Sequence, residues 1–348
     1  MERGKRRNGK LAFLAGLVAV LLVIGISSCS ADVFTGNIST TSTWKPRALP
    51  VTSSSVSVSS SASTTRSVNG ERRQSSFSSV VFRVHGNVYP LGIYYVSINI
   101  GNPPKPYFLD VDSGSDVTWL QCDVPCHSCS KSPHPLYKPM KNRLVPCETP
   151  LCQAMHESTH HEGRCETPSQ CDYKIEYQDS GSSLGVLVTD AFALPLINKI
   201  LSHPSLALGC GYDQQGWPSN TDGVLGLGSG KIGILSQLRD LGVCRNVVGH
   251  CLSKNSHGFL FIGDDVVSPN GFTWVPMSTA EAKYYSPGLA TVFVGKQKLK
   301  YKQNLVFDSG SSYTYFDSQL YESLLAMIRR DISTTSLKEA PEEKALPL

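Results

Sequence analysis

Basic charge is scarce where a nucleic-acid surface would need it. The 348-residue chain has a formal net charge of +4, yet residues 1–73 hold ten basic side chains against three acidic ones. The remainder therefore carries a formal charge of −3, and no stripe of Lys and Arg is left to neutralise phosphates. A nucleotide loop is missing too. The glycine-rich run from Gly223 to Gly228 has neither the Lys-Ser/Thr ending of a phosphate loop nor the Gly-x-Gly-x-x-Gly spacing. Helical patterns are few, at residues 233–241 and Ser318 to Arg330.

What is present reads as strand. Val80 to Val84, Tyr94 to Ile100, Tyr107 to Val111, Phe259 to Ile262, Ala290 to Val294 and Leu305 to Phe307 are short apolar or alternating runs. Gly and Pro turns such as Gly101-Asn102-Pro103-Pro104 separate them. The predicted class is all-β. Roughly 270 residues is large for one core, so two lobes are expected.

One stretch occurs twice. Phe108-Leu109-Asp110-Val111-Asp112-Ser113-Gly114-Ser115 returns as Asn304-Leu305-Val306-Phe307-Asp308-Ser309-Gly310-Ser311. Each copy ends an extended apolar run, and each is followed by a Thr and an aromatic, Thr118-Trp119 and Thr314-Tyr315. A tyrosine pair precedes both, Tyr94-Tyr95 and Tyr284-Tyr285. A supersecondary unit used twice accounts for this. Asp179-Ser180-Gly181-Ser182 supplies an internal control. Its lead-in alternates apolar and polar residues, so it reads as a hairpin tip.

Two carboxylates brought close together cannot both ionise cheaply, and one proton is shared between them. The ionised partner can deprotonate a water, and the protonated partner can donate to a carbonyl oxygen as charge develops there. Asp112 and Asp308 are the candidate pair. Gly114 and Gly310 would let the backbone turn tightly under each carboxylate. Ser113 and Ser309 could join the two loops by hydrogen bonds. No histidine recurs beside these serines, so no serine triad is evident.

On these motifs the chain resembles the pepsin-like aspartic endopeptidases, and more closely their cysteine-rich, nepenthesin-like plant branch. The matching pieces are Tyr94-Tyr95-Val96 through Gly101, the run from Asp112 to Trp119, and Asp222-Gly-Val-Leu-Gly-Leu-Gly228. Asp308 to Ser311 matches the second catalytic loop, and Tyr177 with the following Gly-Ser-Ser resembles the flap hairpin. The resemblance runs from about Val80 onward. It implies a two-lobed β fold with the cleft between lobes, one aspartate from each, and hydrolysis of peptide bonds by an activated water. It implies no cofactor and no metal, protein or peptide substrates, and a monomer. Tyr177 would close over substrate, and Trp119 would steady it through the indole N–H. In the family Val224-Leu225-Gly226 threads beneath the first catalytic loop. The second loop should need the same support, but Gly310 is the last glycine and the 40 residues after Asp308 become polar and charged. An incomplete second lobe is therefore expected. The alternatives to an active protease are an inactive truncated form and a secreted binding or inhibitor protein on the same scaffold.

Residues 1–10 are basic and Leu11 to Ile26 is uncharged and apolar, with small residues after it. That is the layout of a secretory signal peptide, or of a signal anchor if uncleaved. Residues 1–30 are assigned to it, and residues 31–79, rich in Ser, Thr and Val, to a propeptide or flexible stem. Residues 80–268 would form the first lobe with its cysteine-rich insertion, and 269–348 the partial second lobe. The predicted route is secretory, towards an extracellular, apoplastic or vacuolar compartment. The alternative is a single-pass membrane protein, touching the membrane through the N-terminal segment alone. Ten cysteines lie beyond Cys29: Cys122, Cys126, Cys129, Cys147, Cys152, Cys165, Cys171, Cys210, Cys244 and Cys251. An even number in a secreted chain reads as disulfides, with the pairing open. The rival is zinc, with Cys122, Cys126, His127 and Cys129 and with His156, His160 and His161 as candidate ligands.

Overall fold

The computed structural model describes residues 78–332, apart from residues 89, 125, 160–164, 217–219, 254–257, 267–274 and 281–282. The predicted signal segment, and all of the predicted propeptide or stem except its last two residues, lie outside the described residues. Among the described residues no helix is long and apolar enough to cross a membrane.

Strands dominate, in keeping with the all-β expectation. The N-terminal part holds β1 (Val80–Asn87), β2 (Ile93–Ile100), β3 (Lys105–Asp112), β4 (Trp119–Gln121), β5 (Asp172–Glu176), β6 (Ser182–Pro195), β7 (Leu201–Ser202), β8 (Ser205–Gln215), β9 (Gly223–Gly226), β10 (Val248–Cys251) and β11 (Gly258–Ile262). They join one 11-stranded sheet along the path β10-β11-β1-β2-β3-β9-β4-β8-β6-β5, with β7 beside β6. In β3, Tyr107, Leu109 and Val111 alternate inward and are buried. They pack with Val96, Ile98 and Ile100 of β2 and with Leu225 of β9 in the main core.

β9 decides where the end of β3 sits. It lies parallel to β3 over Leu109 to Asp112 and antiparallel to β4. The close approach requires glycine. A Cβ on Gly226 would stand 2.5 Å from the main-chain carbon of Asp116. Any larger residue would push the two segments apart.

Helix α1 (Pro150–Thr159) lies in the cysteine-rich insertion, and helix α2 is Ile234–Asp240. The sequence pattern indicates α2 but not α1. With few apolar residues, α1 is tied down by covalent bonds instead. Cys152–Cys171 links it to the start of β5, and Cys147–Cys165 closes the loop around it. Its Met155 and Cys152 enter a second core cluster with Tyr173 and Leu187. Cys122–Cys210 joins β4 to β8, Cys126–Cys129 closes a short loop, and Cys251 is also disulfide-bonded. The cysteines of the rival zinc reading are thus engaged in disulfides. Cys244 departs from the expected pattern. It is a free thiol buried in the main core with Leu235 and Leu238, a small apolar residue by environment.

The second part is much smaller. β12 (Gly288–Val294) and β13 (Gln297–Leu305) form a two-stranded antiparallel sheet. Helix α3 (Ser318–Ile332) covers it. Leu320, Leu324 and Ile328 recur every four residues and meet Val294 and Leu299 in a separate cluster. Asp317 caps the helix, its carboxylate accepting from the Leu320 N–H at 2.9 Å. The predicted strand at Leu305-Val306-Phe307 ends at Leu305. Beyond it the Phe307 N–H donates to the Tyr285 carbonyl at 2.9 Å rather than to a sheet neighbour.

Candidate active site

The two copies of the repeated stretch meet. The Ser113 N–H donates to Ser309 Oγ at 3.0 Å, and the Ser309 N–H donates to Ser113 Oγ at 2.9 Å. Each hydroxyl then donates across to the carbonyl of the residue before the opposite aspartate. Ser113 Oγ reaches the Phe307 carbonyl at 3.2 Å, and Ser309 Oγ reaches the Val111 carbonyl at 2.8 Å. Both serine N–H groups and both serine hydroxyls donate across the pair, so the pairing fixes both turns at once.

The glycines serve a different purpose from the one the sequence suggests. Neither Gly114 nor Gly310 has a positive φ. Each instead lies under the carboxylate of the other loop. A Cβ on Gly114 would stand 2.7 Å from the Asp308 carboxylate, and one on Gly310 would stand 2.5 Å from Asp112 Oδ1. The requirement is room for the opposite carboxylate, not backbone freedom. Each glycine N–H also donates to the aspartate of its own loop, Gly114 to Asp112 Oδ1 at 2.8 Å and Gly310 to Asp308 Oδ1 at 2.9 Å.

The carboxylate of Asp308 lies near enough to that of Asp112 for its charge to bear on it. Asp112 is 8% exposed. Burial raises its pKa to about 6, and the charge of Asp308 adds to the rise. Hydrogen bonds from Ser115 and from the Gly114 N–H work against it. The Ser115 hydroxyl donates to Asp112 Oδ2.

The candidate flap residue, Tyr177, directly follows β5. Tyr177 opens the turn between β5 and β6, where its N–H donates to the Gly181 carbonyl at 2.8 Å. Asp179-Ser180-Gly181 is the hairpin tip, with Ser180 at φ 72° and the Gly181 N–H on Asp179 Oδ1 at 2.8 Å. Trp119 Nε1 donates to the Tyr177 hydroxyl at 2.7 Å. Burial raises the Tyr177 pKa, and the nearby charge of Asp112 raises it further, so the phenol stays neutral and available as a hydrogen-bond partner.

Two further aspartates, both inside the matched segments, shape the site in ways the motifs do not assign. Asp116 is buried and accepts from the Gly230 N–H at 2.8 Å and from the Ser158 hydroxyl, tying α1 to the first loop. Asp222 accepts from the Phe108 N–H at 2.6 Å, from the Ser132 hydroxyl, and from the His134 N–H at 3.1 Å. Its Oδ2 also lies 2.7 Å from His134 Nδ1. Asp222 thereby clamps the start of β9 to β3 and to the insertion. Only their contacts across the fold reveal these roles, since the partners lie 42 to 114 residues away.

Comparison with known proteins agrees with this geometry. The family described as xylanase inhibitor N-terminal matches residues 94–264. An aspartic proteinase of Oryza sativa subsp. japonica is 44% identical over 265 residues, covering 74% of this chain and 64% of the relative. Aspartic proteinase nepenthesin-2 of Nepenthes gracilis is 27% identical over 296 residues, covering 78% of this chain and 64% of the relative. The chain thus spans less than two thirds of the length of these relatives. Among solved structures, the aspartic proteinase from Irpex lacteus superposes with a TM-score of 0.52 at 18% identity, over 72% of this chain and 68% of that one. Basic 7S globulin from soybean superposes with a TM-score of 0.58 at 16% identity, over 77% and 73%. At such identities these two structures speak for the fold alone. Its duplicated Asp-Ser-Gly loops, its β9 support and these relatives make the chain similar to the plant pepsin-like aspartic proteases.

Proposed function

We propose that this protein is an aspartic endopeptidase that hydrolyses protein or peptide substrates with a water held between Asp112 and Asp308. The observation that carries the reading is the reciprocal pairing of the two loops, which sets each carboxylate over the glycine of the other. Burial favours the neutral form of Asp112, so the shared proton rests there. Asp308 takes a proton from the water, whose oxygen bonds to the scissile carbonyl carbon. Asp112 gives its proton to the carbonyl oxygen, leaving a neutral tetrahedral diol. Collapse of the diol breaks the C–N bond: the leaving amine takes the proton held by Asp308, and a diol hydroxyl returns its proton to Asp112 as the carboxyl product forms. No covalent enzyme intermediate is involved. Tyr177 closes over the substrate from the β5–β6 hairpin, as the family resemblance implies.

The disulfide set and the apolar segment from Leu11 to Ile26 favour a route through the secretory pathway, to an extracellular or vacuolar compartment. A second reading has its own support. Asp308 is exposed, and the non-enzymatic possibility fits a protein of the same scaffold that binds peptide without turning it over. The deciding experiment is cleavage of a denatured protein at acid pH, with and without a statine-containing peptide inhibitor. Inhibitor-sensitive cleavage supports the enzyme. Inhibitor binding without cleavage supports the binding protein.

A further inference from the structure

Outside the two loops, one side chain bridges the halves of the site. Tyr285 lies three residues before β12, and the sequence singles it out only as half of a repeated tyrosine pair. Its hydroxyl donates to the Leu227 carbonyl at 2.7 Å. Leu227 is fully buried, and its own N–H donates to the Asp112 carbonyl at 2.7 Å. At the other end, the Tyr285 carbonyl accepts from the Phe307 N–H at 2.9 Å. The next residue is Asp308. A continuous path of hydrogen bonds therefore runs from the main chain of Asp112, through Leu227 and Tyr285, to the residue before Asp308. Tyr285 is itself anchored, because the neighbouring Ser286 carbonyl accepts from the Ser278 N–H at 2.7 Å.

The counterpart in the first tyrosine pair makes no such link. The Tyr94 hydroxyl donates to the Ser253 carbonyl instead, and Tyr95 stacks on His85 and Phe108. The echo in sequence hides a difference in use. The first loop has β9 beneath it and needs no bridge. The second loop follows a strand that has already ended, so its height and tilt against Asp112 depend on what holds Phe307.

We propose that Tyr285 is a positioning residue, setting the place of Asp308 relative to Asp112 through its hydroxyl on the Leu227 carbonyl. The inference rests on the two-aspartate reading. A buried carbonyl that loses its donor is costly, so the link is held firmly in the intact protein. Small misplacement of a reacting group lowers the rate steeply.

Tyr285→Phe removes the hydroxyl and keeps the ring, and Tyr284→Phe is the control. Both are compared with the unaltered chain on an internally quenched peptide at acid pH, and by amide hydrogen exchange. Tyr285→Phe is expected to lower kcat about tenfold and to leave KM within about twofold. Exchange at Phe307 and Ser309 should quicken about tenfold while the amides of β1 and β11 stay as protected as before. Tyr284→Phe should behave as the unaltered chain. Unchanged kcat and unchanged exchange at Phe307 would overturn the inference. So would equal quickening throughout the large sheet, which would mark a merely structural tyrosine, or the same loss in Tyr284→Phe. If the unaltered chain shows no inhibitor-sensitive cleavage, the two-aspartate reading fails by itself, and the exchange ratio at Phe307 alone decides for or against Tyr285.

Discussion

The two Asp-Ser-Gly loops are near copies in sequence and very different in setting. The first closes a strand inside an 11-stranded sheet. β9 runs parallel beside it, Leu227 donates to Asp112, and the Gly228 N–H donates to the Ser115 carbonyl at 2.8 Å. The second follows a two-stranded sheet and, among the described residues, has no parallel strand beside it. The difference reaches individual atoms. Ser115 turns its hydroxyl to Asp112, whereas Ser311 gives its hydroxyl to the Tyr313 carbonyl at 2.9 Å. Val111, just before Asp112, is 1% exposed, and its counterpart Phe307 is 51% exposed. A short motif specifies the turn and its hydrogen bonds. The surrounding sheet decides how much of the aspartate is desolvated, and burial pushes the Asp112 carboxyl towards its neutral form.

The largest expected effect removes the symmetry at the chemistry itself. Asp112→Asn and Asp308→Asn should each lower turnover on the order of 10²–10⁴-fold. The double variant should be little worse than either single one, because the pair acts as a unit. Initial rates at acid pH, normalised to folded protein, measure this. Near-normal turnover by Asp308→Asn would mean that the exposed copy is not part of the machinery.

A second test separates the settings without touching a carboxylate. Val111→Ala should destabilise the protein by about 1–3 kcal/mol, since it opens a cavity in the main core. Phe307→Ala removes more atoms but should cost less than about 1 kcal/mol, because the ring is half in solvent. Denaturant midpoints would show it, and equal losses would mean that Phe307 is covered in solution.

Smaller still is the dependence of stability on pH. The folded pKa of Asp112 lies near 6, above the usual unfolded value of about 4. Between those values the folded state binds the extra proton, so this group's contribution is fully present below about pH 4 and is lost as pH rises through about 6. Asp112→Asn should flatten that part of the stability profile.

Much of this could be read from the chain before any coordinates. Strand periodicity located β1, β2, β3, β11 and β12 to within a few residues, and the duplicated loops marked Asp112 and Asp308. The doubled motif was legible because both copies keep their chemistry in consecutive residues. Three features were not legible. The long strands β6 and β8 are buried over much of their length and show no clean alternation. Helix α1 buries Cys152, Ala154 and Met155, but it spans only ten residues and is held by disulfides, so its pattern is too short to signal a helix. The glycines of the two loops looked like turn residues, since nothing local shows that the carboxylate of the other loop will occupy the space above them. Cys244 looked like a bridge partner by count, and burial in the main core makes it an apolar filler instead.

The most direct test of the central claim, that the loops form one coupled pair, is a carboxyl ¹³C titration of Asp112 in the unaltered protein and in Asp308→Asn. The account predicts an apparent pKa near 6 for Asp112 in the unaltered protein. It predicts a lower value in Asp308→Asn, because a like charge is removed while burial remains. An Asp112 titration that is the same in both proteins would contradict it.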